Sequence, residues 1–207
     1  MSHAGRVFLV DDDDALRRAT SRLLGMHGFE VRAFGTAEEF LRAYDPQLPG
    51  CLLLDMRLPG QSGLELQRTL AERGMTPQIV FLTGHADVPT SVFAMKGGAI
   101  DLLEKPVREE DLVAALTRAI ELDSQKREQR RQLEKVKQLY AALTSREREV
   151  FFEVVAGRLN KQAAQTLGIA ERTVKLHRAR VLEKMGAGSV ADLVRMAEAL
   201  DLRPASR

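Results

Sequence analysis

Five short apolar runs, separated by stretches with helical spacing, constrain the fold of this chain most strongly. They are VFLV (7 to 10), VRAF (31 to 34), CLLL (51 to 54), IVFL (79 to 82) and IDLL (100 to 103). Runs this short and this apolar suit strands buried on both faces, and leucines at helical spacing between them, such as Leu16, Leu23 and Leu24 or Leu64, Leu66 and Leu70, suit crossover helices. The fold class expected is α/β, a five-stranded doubly wound parallel sheet. In such sheets ligands bind beyond the carboxyl ends of the strands, near the point where the strand order reverses. Function is therefore sought in the one or two residues that follow each run.

Those positions hold Asp11 and Asp12 after the first run, Asp55 after the third, Thr83 after the fourth, and Lys105 with Pro106 after the fifth. Alone, each is an ordinary loop, cap or surface residue; their joint arrival at one rim is what points to chemistry. Hard divalent cations such as Mg2+ prefer carboxylate, carbonyl and water oxygens, so Asp11, Asp12 and Asp55 form a candidate metal site with positions left open. A carboxylate beside such a cation can attack phosphorus, with Lys105 offsetting charge on the phosphoryl oxygens. The run of four aspartates, Asp11 to Asp14, divides accordingly: two serve the site and two manage the turn, with Asp14 expected to cap the helix that follows.

Composition enters where it separates the two halves. Residues 1 to 122 carry 13 Lys and Arg against 18 Asp and Glu, whereas residues 123 to 207 carry 18 against 11. An acidic half is thus joined to a basic one, as expected of a metal- or phosphate-handling domain followed by one that meets a polyanion. No apolar run reaches the length of a membrane helix and MSHAGR lacks the apolar core of a signal peptide, so a cytoplasmic protein without membrane contact is expected. The lone Cys51 sits in an apolar run and reads as a packing residue.

From Leu112 the helical pattern continues into ELDSQKREQRRQLEKVKQLYAAL, with Asp123 and Arg127 at i,i+4 and Glu134 and Lys137 at i,i+3. It reads as a solvated helical linker, with a flexible charged tether as the alternative. LTSRERE then opens an all-helical region, with Ser145 as the helix-start signal and helices expected at roughly 145 to 156, 160 to 167, 171 to 185 and 189 to 200. The second and third of these, around a glycine-containing turn at 167 to 169, have the form of a helix-turn-helix. At 100° per residue Val174, Val181 and Met185 share one stripe, assigned to the core, and Arg172, Lys175, Leu176, Ala179 and Glu183 lie opposite. On that face Lys175 can reach a guanine edge and Leu176 and Ala179 can touch thymine methyls, while Arg178 and Arg180 flank it toward phosphates. Periodicity alone leaves open a helical bundle that binds protein.

The segments VFLVDDD, LLLDMRLPGQSGLEL, IVFLTGHADV and AIDLLEKP resemble the receiver domain of bacterial response regulators. That resemblance implies that Asp55 accepts a phosphoryl group from a sensor histidine kinase, that Asp11, Asp12, Asp55 and the main-chain carbonyl of Arg57 hold Mg2+, that Thr83 turns toward the phosphoryl group, and that Lys105 pairs with it. It also implies a cis Lys105-Pro106 bond. One departure is Leu102, where an aromatic residue is usual, so the signal is expected to pass through Thr83 and the neighbouring helix or through a smaller repacking. His85 reads as a loop residue. The stretch from LTSREREVFF to SVADLV resembles the LuxR-type helix-turn-helix of the NarL/FixJ response regulators, nearest the FixJ and StyR branch. This implies double-stranded promoter DNA as a partner, bound as a homodimer formed on phosphorylation, with Arg172, Thr173, Lys175, Leu176, His177, Ala179 and Arg180 along the contacting helix, the last helix in dimer contacts, and RNA polymerase as a further partner. Ala170, where a capping Ser is usual, and Ala179, often basic, depart from the pattern. The domains expected are a receiver over 1 to 122, a helical linker over 123 to 142 and a DNA-binding domain over 143 to 207. Two rivals are an aspartate-nucleophile phosphatase of the haloacid dehalogenase type, disfavoured because Arg57 stands where its second acid belongs, and a phosphorylated interaction module whose helical tail binds protein or RNA.

Overall fold

Each of the five apolar runs forms a strand: β1 (Gly5–Val10), β2 (Phe29–Phe34), β3 (Cys51–Asp55), β4 (Gln78–Thr83) and β5 (Asp101–Glu104). In this computed structural model, which describes residues 5–84 and 88–202, they pair in parallel in the order β2-β1-β3-β4-β5. The crossovers run through α1 (Asp14–Met26), α2 (Ala37–Ala43), α3 (Gly63–Glu72) and α4 (Val88–Lys96), and α5 (Glu109–Ala141) follows the last strand. Alternation along the strands divides the core in two. Phe8, Val10, Leu52, Leu54, Ile79 and Phe81 pack with Phe40, Leu66, Leu70 and Ala94 of α2, α3 and α4. Val7, Leu9, Leu53, Val80 and Leu82 pack with Leu24 of α1 and with Leu112, Ala115, Leu116 and Ala119 of α5. Cys51 is fully buried among the second set, and burial holds its thiol well above the ordinary value, so it packs rather than reacts.

Three local readings are corrected. The cap of α1 is Asp13, not Asp14: its backbone is extended and its Oδ1 accepts from Ala15 N (2.8 Å) and Leu16 N (3.0 Å). Asp14 is the first helical residue and instead pairs with Arg17 and Arg18. The helix expected to start on Ser145 is capped by Thr144, whose hydroxyl accepts from Glu147 N while the Glu147 carboxylate accepts from Thr144 N, a complete capping box. The linker expected from residue 123 as a solvated helix begins on a buried residue. Asp123 Oδ2 accepts from Gly50 N (3.0 Å) and from Arg127 Nε (2.6 Å), and the Arg127 guanidinium donates onward to the carbonyls of Gln47 and Leu48. Lys126 Nζ adds a bond to Gln78 Oε1. This clamp fastens α5 to the amino-terminal rim of the sheet.

Two units are distinguished, Met1–Arg127 and Glu128–Arg207, and α5 is helical on both sides of that division. In the second, α6 (Ser145–Val155), α7 (Asn160–Leu167), α8 (Glu171–Met185) and α9 (Val190–Ala199) enclose a core of Val150, Phe151, Val154, Val174, Val181, Met185 and Leu193. Gly168, at φ 64°, makes the left-handed turn that ends α7 and lets α8 begin. Among the described residues no helix is long and apolar enough to cross a membrane.

Candidate functional site

Strand register, rather than proximity in sequence, assembles the first site. Val10 pairs with Leu54, so the next residues, Asp11 and Asp55, emerge side by side from neighbouring strands. Asp55 pairs with Leu82 and Thr83 with Glu104, which brings Thr83 and Lys105 to the same rim. The reversal of strand order lies between β1 and β3, where the ligand site of a doubly wound sheet is expected.

Asp11 is almost fully buried; its Oδ1 accepts from Asp13 N (2.9 Å) and its Oδ2 from Lys105 Nζ (3.0 Å). Asp55 is buried too, with Oδ1 accepting from Arg57 N (2.8 Å) and Oδ2 in a short contact with Lys105 Nζ. Asp12 is exposed, yet one carboxylate oxygen from each of Asp11, Asp12 and Asp55 lies within 4.8 Å of the others. Burial raises the pKa of Asp11 above the ordinary carboxylate value, against the opposing pull of Lys105. For Lys105 burial disfavours the charged form, but the bonds to Asp55 and Asp11 outweigh it and hold the ammonium above its usual value. Three carboxylates against one ammonium leave an excess of negative charge, and a donor set made wholly of oxygen is the kind a hard divalent cation accepts.

Thr83 is buried at the end of β4, and its carbonyl accepts from Lys105 N (2.7 Å), which ties the lysine's backbone to the same strand end. The Lys105-Pro106 peptide is cis. Leu102 is partly buried against the first core set. His85 lies outside the described residues. One contributor escaped sequence reasoning: Arg17 Nη1 donates to the Asp11 carbonyl (2.7 Å), bracing the loop that carries the two acids. Its only signal was an arginine on the first helical turns after the acids.

In the second unit Val174, Val181 and Met185 are fully buried, whereas Arg172, Lys175, Leu176, Ala179, Arg180 and Glu183 are exposed. Thr173, His177 and Arg178 lie partly buried at the flanks, with Arg178 Nη1 donating to Asn160 Oδ1 (3.2 Å) across to α7. Leu176, about half exposed, stands on that open face. The cap position of α8 is Ala170, which offers no side-chain acceptor. An ion pair anchors the helix from behind: Lys184 Nζ on α8 donates to Glu147 Oε2 on α6 (2.7 Å).

Known proteins resemble this chain over both of its units. The model of the response regulator receiver domain matches residues 7–117, and that of bacterial regulatory proteins of the luxR family matches residues 141–197. The chain is 46% identical over 196 residues to nodulation protein W of Bradyrhizobium diazoefficiens, covering 95% of this chain and 86% of that one. It is 45% identical over 194 residues to the response regulator protein TmoT of Ectopseudomonas mendocina, covering 94% and 88%. Among solved structures it is similar to the response regulator StyR, at 43% identity and TM-score 0.86, over 94% of this chain and 98% of that one.

Proposed function

Since the chain belongs to the two-component response regulators that join a receiver domain to a LuxR-type DNA-binding domain, we propose that Asp55 accepts a phosphoryl group from the phosphohistidine of a sensor kinase and that this event controls promoter binding by α8. The chain is a transcription regulator rather than an enzyme. In this reading residues 1–122 form the receiver, 123–142 the helical linker and 143–207 the DNA-binding domain.

The observation that carries the reading is the convergence of Asp11, Asp12, Asp55 and Lys105 on one rim. An Asp55 carboxylate oxygen forms the bond to phosphorus as the bond to the histidine nitrogen breaks; the imidazole leaves and an acyl phosphate remains. The carboxylates of Asp11, Asp12 and Asp55, with the main-chain carbonyl of Arg57, would hold Mg2+, which would supply charge neutralisation on the transferring phosphoryl oxygens. Lys105 then exchanges its carboxylate contact for a phosphoryl oxygen, and the Thr83 hydroxyl turns to the same group. The exposed apolar residues of α4, Val88, Val92, Phe93 and Met95, support the face formed by α4, β5 and α5 as the one on which two copies pair. Pairing brings two reading helices under one linkage and raises affinity for paired half-sites. On the DNA, Arg172, Thr173, Lys175, Leu176, His177, Ala179 and Arg180 form the contacting set, with Lys175 and Leu176 toward base edges and Arg180 toward phosphate. RNA polymerase is the partner implied for an activator.

Labelling with acetyl phosphate and Mg2+ tests the acceptor. Wild type is expected to label and Asp55→Asn not to; a labelled Asp55→Asn protein refutes the assignment. Selection from random DNA should return a discrete site whose affinity falls steeply with salt.

A further inference from the structure

We propose that Gln67 on α3 is the positioning residue through which the state of Asp55 reaches α4, an inference that rests on Asp55 being the phosphoryl acceptor. α4 is lightly held: among its described residues Ala94 alone is buried. Leu102, the β5 residue packed against the same core set, has no ring to rotate. The coupling between Asp55 and α4 therefore runs through a contact other than a ring on β5.

Two glycines mark one. Gly63, the first residue of α3, has ordinary backbone angles, yet a Cβ there would lie 2.5 Å from the Asp55 carbonyl oxygen and 3.1 Å from Phe81. Its N–H donates to the Met56 carbonyl (3.0 Å). The start of α3 is thus pressed against the peptide that follows the acceptor, at a distance only glycine permits. Gly97, just beyond α4, also lacks a positive φ, so no backbone conformation demands glycine there. A Cβ at Gly97 would lie 2.6 Å from Gln67 Oε1 and 2.9 Å from its Nε2, so the missing side chain is space for that carboxamide.

Gln67 lies one turn along α3 from Gly63 and is buried; its Nε2 donates to the Ala94 carbonyl (3.2 Å), which also accepts from Ala99 N (3.2 Å). The bond holds the Ala94 carbonyl, in the last turn of α4, from the side. Burying a carboxamide is unfavourable unless it is paired, and a leucine would fill the volume without that penalty. What the amide adds is direction: it fixes the end of α4 relative to α3. The strut itself is stiff, closed at its start by the Ser62 and Glu65 capping box and seated in the core by Leu66 and Leu70. A displacement of the Asp55 peptide then moves α3 as a unit and carries the end of α4 with it.

The test uses the full chain as wild type, Gln67→Leu and Gly97→Ala, which attack the contact from opposite sides. Acetyl phosphate with Mg2+ reports labelling of Asp55, and hydrogen exchange over residues 88–99 with and without beryllofluoride and Mg2+ reports α4. Both variants are expected to label within about twofold of wild type, while the beryllofluoride-induced change in α4 exchange falls by roughly 3- to 10-fold. A merely structural role would shift both exchange rates together and leave their ratio intact. An unchanged ratio in either folded variant overturns the proposal, as does a wild-type protein that labels without any change in α4. Loss of labelling in a folded variant also overturns it, because Gln67 would then belong to the acceptor pocket. Failure of wild type to label at all strikes the acceptor reading instead, so the two failures are distinguishable.

Discussion

Glu147 offers the sharpest energetic test of how α8 is held. Its buried carboxylate accepts from Thr144 N (2.8 Å) and from Lys184 Nζ (2.7 Å), so one side chain closes the cap of α6 and ties it to α8. Removing the reciprocal cap bond costs about 1 kcal/mol. A charge-assisted hydrogen bond is worth about 1.5 to 3 kcal/mol, and because the Lys184 side chain is 37% exposed a value near ~1 kcal/mol is appropriate here. Glu147→Ala should therefore destabilise the second unit by about 2 kcal/mol, and Glu147→Gln, which keeps an acceptor for Thr144 N, by about 1 kcal/mol. The pH dependence separates charge from packing. Lys184, followed by the Thr144 N–H, depresses the Glu147 pKa from 4.5 to about 2. A carboxylate whose pKa is lowered by folding stabilises fully above its unfolded value and progressively less as pH falls through that window, here from 4.5 toward about 2. Hydrogen exchange of α6 and α8 amides reads the second unit without interference from the first. Unscreened, the lowered Glu147 pKa would correspond to about 3 kcal/mol; with Lys184 open to solvent the wild type should exceed Glu147→Gln by about 1 kcal/mol near neutral pH, with the gap closing as pH approaches about 2. A gap that stays constant across that range refutes the ion-pair account.

Other perturbations follow from particular contacts. Asp13→Ala should cost about 1 kcal/mol of receiver stability, because Ala15 and Leu16 N–H lose their acceptor, whereas Asp14→Ala should cost less; thermal unfolding at neutral pH compares them. Asp123→Ala should destabilise the receiver by about 3 kcal/mol, since Gly50 N and the Arg127 guanidinium lose a buried partner, and urea unfolding measures it. Asp11→Asn should weaken Mg2+-dependent labelling by acetyl phosphate while leaving the fold intact; labelling at the wild-type Mg2+ requirement would remove Asp11 from the metal set. Lys175→Ala should relax base preference in selection from random DNA, whereas Arg180→Ala should weaken all sequences alike and lower the salt slope by about 1.

The sheet and its rim were legible because apolar runs and the polar residues ending them carry the same information. Strand ends were not: β1 and β2 extend backward to Gly5 and Phe29, where Arg6 and Glu30 pair as an ion pair that no apolar pattern marks. The cap of α1 was ambiguous for a plain reason, since Asp13 and Asp14 bring identical side chains and only backbone geometry chooses between them. The cap of α6 was readable in principle, because Glu147 stands three residues after Thr144. The Asp123 and Arg127 pair formed at the expected spacing, but its burial was invisible: the third partner, Gly50 N, comes from before β3. Gln67 and Gly97 were equally silent, because the Gln67 bond to Ala94, for which Gly97 leaves room, joins two helices and leaves no periodic trace.

The clamp around Asp123 sits at the end of the sheet opposite the aspartates. A module fastened at its base and charged at its crown has a built-in polarity: the base can be tightened or slackened by mutation to suit temperature, while the crown stays free to trade contacts with each round of modification. Durability and responsiveness are thereby governed by different residues, and selection can adjust one without retuning the other.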